Sequence, residues 1–206
     1  MNRLIVIAAF LILSALPSVI LAETFEAKLS GFNEVHFDAG NPTVTPVVPP
    51  ALRGAISTGA SGKFKAKLED ERIEYELSYE NLRGTVTQGH IHFGQRHTVG
   101  GIVVWLCQTS TNLAPIAVRD ITPDCPAEGT VTGIITQANM LAQVAQGFEG
   151  QFGDFNALVR AIRNGAAYAN VHSSLFTPGE IRGHIRASHR DKDDGKDNRD
   201  HRDHRR

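Results

Sequence analysis

Apolar and polar side chains alternate one by one along several stretches of this chain, and that period of two is the signature of a half-buried β-strand. Phe25, Ala27 and Leu29 alternate with Thr24, Glu26 and Lys28. Phe64, Ala66 and Leu68 alternate with Lys63, Lys65 and Lys67, and beyond the charged turn Glu69-Asp70-Glu71-Arg72 the residues Ile73, Tyr75, Leu77 and Tyr79 alternate with Glu74, Glu76 and Ser78. Two such runs about a short polar turn predict an antiparallel hairpin with one buried face, whose lysine and glutamate rows can pair across the strands. A further strand spans Thr85 to Phe93, with Ile91 and Phe93 on the core side and His90 and His92 on the opposite, wetter side. Ile102-Val103-Val104-Trp105-Leu106 is apolar on both sides and reads as a strand covered on both faces.

The rest of the pattern adds loops, helices and a last hairpin. Between His36 and Gly59 the alternation dissolves, and Pro42, Pro46, Pro49 and Pro50 predict a long irregular surface loop. The segment Gln108 to Pro126, with Pro115, Pro123 and Pro126, is also loop-like. Gly129 to Ile135 is a short strand. Thr136 is placed to cap a helix with Met140, Leu141 and Val144 on its apolar side and Gly147 at its stop. A second helix starts at the N-cap Asp154, repeats Phe155, Leu158, Val159 and Ile162 at helical spacing, and ends before Gly165. Ala167, Ala169 and Val171 then alternate with Tyr168, Asn170 and His172, and across the turn Thr177-Pro178-Gly179 so do Ile181, Gly183 and Ile185 with Arg182, His184 and Arg186. These elements predict a mainly β fold, an antiparallel β-sandwich with Greek-key-like connections and one or two short helices.

Three domains of composition follow. Residues 1–22 have the form of a secretory signal peptide: Arg3 is the positive start, Leu4 to Leu16 is apolar, and Pro17-Ser18 precedes the small Ala22. Ile20 stands where a small residue is preferred, so an uncleaved anchor is the rival reading. Residues 23–187 form the folded domain, and nothing after the signal segment is long and apolar enough to cross a membrane as a helix. Residues 188–206 contain Asp, Arg, Lys and His but no apolar residue, so they cannot bury enough surface to order themselves. The expected location is secreted or periplasmic.

The net charge of -1 gives no long-range field, which argues against nucleic acid as a partner. Cys107 and Cys125 are the two cysteines, and in an exported chain they are expected to form a disulfide; the alternative is a pair of thiol metal ligands. No Walker loop, dinucleotide fingerprint or G-x-S-x-G turn occurs, and no residue is singled out as catalytic.

Seven blocks taken in order carry a family resemblance: TGASGKFKAKL, IEYELSYENL, GTVTQGHIHFGQ, GGIVVWLCQT, GTVTGIIT, LVRAIRNGAAYANVHS and GEIRGHI. From about Phe25 to Arg186 the chain resembles the CHRD domain, the module named from chordin. The resemblance implies a mostly β extracellular domain. In chordin that module belongs to a secreted antagonist of bone morphogenetic proteins, and other exported proteins carry it alone. The chain departs from the family pattern in the Pro-rich stretch Asn41 to Pro50, which is longer, and at His184, where glutamine is common.

The candidate chemistry lies in the histidines. His90 and His92 share a strand face, His172 and His184 share the outward face of their hairpin, and neighbouring strands would bring the four together as ligands for zinc or copper. The competing reading is four solvated histidines on a sheet surface. The tail histidines His189, His201 and His204 are a second possible set. The expectation is an exported binding module whose ligand is a metal ion or a protein, with a copper/zinc superoxide dismutase-like enzyme as the alternative.

Overall fold

The alternating runs are strands in the computed structural model, which describes residues 22–38, 43, 45–46, 51–149 and 154–188. All but the last residue of the expected signal segment and all but the first of the expected tail lie outside these residues. The strands are β1 (Glu23–Ser30), β2 (Val35–Asp38), β3 (Ala51–Gly54), β4 (Ser61–Glu69), β5 (Arg72–Glu80), β6 (Val86–Phe93), β7 (Gly101–Cys107), β8 (Gly129–Ile135), β9 (Ala142–Gln143), β10 (Phe148–Glu149), β11 (Ala167–Ser173), β12 (Ile181–His184) and β13 (Arg186–Ala187), with one α-helix, α1 (Phe155–Arg163).

Nine strands form one antiparallel sheet in the order β7-β6-β11-β12-β1-β4-β5-β8, with β13 beside β1. The fold is therefore mainly β and antiparallel, as the alternation predicts. Its two expected layers are one curled, nearly closed sheet whose end strands β7 and β8 come together. The Tyr75 hydroxyl of β5 donates to the Leu106 carbonyl of β7 at 2.6 Å, tying one end of the sheet to the other. The interior holds Phe25, Phe64, Ile73, Leu77, Ile91 and Leu106, and α1 closes it with Leu158 and Ile162. On the outside of β4 and β5 the lysine and glutamate rows do pair, Lys65 with Glu76 at 3.1 Å and Lys63 with Glu26 of β1 at 3.4 Å. Such exposed pairs contribute little stability.

Two expectations are corrected. The stretch after His36 is not irregular throughout: β2 and β3 pair antiparallel from Val35↔Gly54 to Asp38↔Ala51. Pro46 stands between the paired arms, and Pro42, Pro49 and Pro50 lie outside the described residues. The helix expected from Thr136 does not form either. Thr136 caps a single 3₁₀ turn, Gln137–Asn139, in a capping box with Asn139. The chain then runs along the edge of β7, where Leu141 N–H donates to Val103 O and the Gln143 side chain donates to Ile102 O, both at 2.9 Å. The edge of β7 supplies these hydrogen bonds where a further helical turn was expected. The helix from Asp154 and its stop at Gly165, with φ of 66°, are as the periodicity predicts.

Candidate metal centre

The polar face of β6, β11 and β12 is not wet. Because β6 pairs with β11 and β11 with β12, cross-strand register sets His90 opposite Asn170, His92 opposite Tyr168, and Tyr168 opposite His184. Alternation sends Ile91 inward, where it is fully buried, and sends the imidazoles to the other face, as expected. That face is nevertheless covered. His90, His92 and His172 are 0%, 6% and 5% exposed. The expectation of solvated imidazoles is corrected: the loops that follow β6 and β11, together with Trp105 of β7, make a second, polar core there.

The hydrogen bonds fix the tautomers. His172 Nδ1 lies 2.8 Å from the Thr177 carbonyl, so it donates and leaves Nε2 with its lone pair. His90 Nδ1 stands 3.2 Å from that Nε2 and donates to it. His90 Nε2 is then a bare lone pair, and among the described residues it has no hydrogen-bond partner. His92 is held differently. Nδ1 is 2.9 Å from the Gly100 carbonyl and Nε2 is 3.1 Å from Asn170 Oδ1, both of them acceptors. A neutral imidazole has one proton and can serve only one of the two. Asn170 is not free to turn its amide around, because its side chain is also hydrogen-bonded to the buried Glu34 carboxyl.

Aromatic and cationic groups wall the cluster. The Trp105 ring meets His90 edge to face at 4.4 Å between centroids, and Tyr168 stacks on His92 at 4.8 Å and 4°. The guanidinium of Arg182, fully buried, lies 3.3 Å from the Tyr168 ring centroid and donates to the carbonyls of Thr98 and Gln95.

All three imidazoles are driven toward the neutral form. Burial holds His90 well below the usual histidine range, with the His172 and His92 rings adding to the effect. Burial lowers His92 to about 4, and the His172 and Arg182 charges add to that against the hydrogen bonds to the Gly100 carbonyl and Asn170 Oδ1. Burial also lowers His172. Burial has the opposite effect on the carboxyl of Glu34, which rises to about 7.

Neutral imidazole is the form that binds metal. One ligand nitrogen from each of His90, His92 and His172 lies within 4.8 Å of the other two. The 3.2 Å between His90 Nδ1 and His172 Nε2 is also about the edge of a tetrahedron with bonds of about 2.0 Å, so these two nitrogens would suit two positions around zinc once the His90 proton moved from Nδ1 to Nε2. His92 would have to move closer to join them. His184, expected as the fourth ligand, is not in the group. It stands across Tyr168 from His92, 5.6 Å from the Tyr168 ring, with Nε2 3.3 Å from the Arg182 guanidinium. The Cys107–Cys125 disulfide is formed, so no thiol is available as a ligand.

Sequence reasoning missed Glu34, Trp105 and Arg182 as walls of this site. Asn170 and Tyr168 were placed by alternation on the same face as His172 but given no role. Glu34 carried no local signal, since it reaches the cluster only through the fold.

A family model described as the CHRD domain matches residues 25–185. No curated protein and no solved structure matches the chain.

Proposed function

The chain belongs to the CHRD-domain family, and from that premise we propose that it is an exported binding module that holds one zinc or copper ion on His90, His92 and His172. The observation that carries this reading is the buried trio of neutral imidazoles, two of them 3.2 Å apart with a bare lone pair beside them. Neutral nitrogen ligands without carboxylate or thiolate suit zinc and copper and do not suit calcium or magnesium. Export is supported by the disulfide and by the form of the N-terminal segment. No helix among the described residues is long and apolar enough to cross a membrane.

Closed burial favours holding the ion over turning substrate over. A dismutase keeps a coordination position open to its substrate, whereas these rings are covered by Trp105, Tyr168 and the flanking loops. The ion would fasten β6 to β11 and to the loop that carries Thr177.

Calorimetric titration of the full chain with zinc and with cuprous ion at neutral pH tests this. One ion per chain is expected, and His172→Gln weakens binding by at least about a hundredfold. Absence of saturable binding overturns the proposal. So does binding that survives His172→Gln and disappears when His189, His201 and His204 are replaced.

A further inference from the structure

A cleft of about 600 Å³ opens beside β1 and β13, away from the histidine trio. That volume is ordinary for a small-molecule site. Lys28, Arg96 and Arg186 line it, together with His97, His184 and the carboxyls of Glu26 and Glu34, the second of which burial pushes toward its neutral form. These cations differ from those elsewhere on the sheet. On β4 each of Lys63, Lys65 and Lys67 is neutralised by a glutamate. Lys28, Arg96 and Arg186 have no ion-pair partner among the described residues, although all three line the one cleft. The carboxylate nearest to Arg186 in register is Glu26, and it is engaged with Lys63.

The surrounding charge is felt by His184. Burial lowers it to about 4, helped by the Arg182, Arg96 and His97 charges. Phe32, which is 73% exposed, and Ala55 also line the cleft. Two of the lining residues, Ala55 and His97, hold left-handed backbone with φ of 69° and 61°. Alanine in particular adopts that region only where its surroundings fix it, and such residues gather at binding sites. Ala55 is fixed by its N–H, which donates to the Glu34 carbonyl at 2.7 Å.

We propose that this cleft binds a small organic anion, its carboxylate or phosphate head on Arg96, Arg186 and Lys28 and its apolar or aromatic body against Phe32. Arginine presents a planar pair of donors that suits either head group, and an unneutralised cluster gains most from an incoming negative charge. His184 belongs to this cleft rather than to the metal trio. The cleft and the histidine site share Glu34 as a wall but no ligand, and neither proposal needs the other.

Phenyl phosphate, benzoate and inorganic phosphate, titrated separately into the full chain, test the assignment. One phenyl phosphate or one benzoate per chain is expected, and the tighter of the two identifies the head group. Arg96→Ala and Arg186→Ala, both at exposed positions, each weaken the aromatic anion by at least about tenfold. Phe32→Ala weakens the aromatic anion and leaves inorganic phosphate unchanged, and His172→Gln leaves both unchanged. The proposal is overturned if neither aromatic anion binds saturably, if the arginine variants bind as well as the parent chain, or if inorganic phosphate binds as tightly as phenyl phosphate.

Discussion

Nδ1 of His90 lies 3.2 Å from Nε2 of His172, across 82 residues of chain. The pairing of β6 with β11 makes this contact, and the Thr177 carbonyl decides which nitrogen of His172 receives the proton. In the metal-free chain it is a hydrogen bond; under the proposed function the same two nitrogens would become neighbouring ligands, the His90 proton moving from Nδ1 to Nε2. His172→Leu removes the acceptor and leaves a buried His90 N–H unpaired. The metal-free variant should lose about 1–3 kcal/mol in urea unfolding.

Stability should fall on the acid side because of the histidines. Burial lowers His92 from the ordinary histidine value of 6.5 to about 4. Above pH 6.5 the ring is neutral in the folded and unfolded chains alike. Below it the unfolded chain takes up a proton that the folded chain refuses, and the loss grows until the pH reaches about 4. His92 alone contributes about 3 kcal/mol to this loss, and His90 and His172 act in the same direction. Unfolding free energies measured from pH 7 to pH 4 should show the decline in the metal-free protein.

Glu34 works the other way. Its carboxyl is raised from 4.5 to about 7 by burial, so its contribution is whole below pH 4.5 and is lost as the pH rises through 7. Glu34→Gln keeps the shape of the side chain and removes the ionisation. The variant should be more stable than the parent at pH 8, by at most about 3 kcal/mol, and its stability should decline more steeply between pH 7 and pH 4.5.

Gly100 holds the loop over the cluster. Its carbonyl accepts from His92 and its N–H donates to the Tyr168 hydroxyl at 3.1 Å. A Cβ there would stand 1.9 Å from the Phe93 carbonyl oxygen. Gly100→Ala should therefore displace the loop, destabilise the domain by about 2 kcal/mol or more, and weaken metal binding without removing a ligand.

Cys107 is buried in the core, and Cys125 closes the loop that packs Ala114 and Val118 on Trp105. Reduction should lower stability by about 3 kcal/mol, as judged from a sequence separation of 18. Trp105 fluorescence recorded with and without reductant reports whether the wall beside His90 loosens as well.

What could be read in the chain was local and periodic. Alternation gave the strands and the side of each on which Ile91 and the histidines stand, because the sheet is two-faced along β6. It gave no sign that the polar face would be roofed, since the roof comes from Gly100, Thr177 and Trp105, which lie on other elements. It placed His184 with His172 correctly as to face. The intervening Tyr168, which fills the row between His92 and His184, separates it from the trio. The helix expected from Thr136 failed because helical spacing in Met140, Leu141 and Val144 says nothing about an unpaired β7 edge nearby. Glu34 reaches Asn170 only after β1 and the 3₁₀ turn Gly31–Asn33 bring it there, and no periodicity could have found it.

The most direct test is the ring-nitrogen NMR spectrum of the full chain labelled with ¹⁵N-histidine, recorded before and after one equivalent of zinc at pH 7.4. The account predicts that nitrogens of His90, His92 and His172 shift together while those of His36, His97 and His184 stay in place. Unchanged signals from the trio, or shifts confined to His189, His201 and His204, would contradict it.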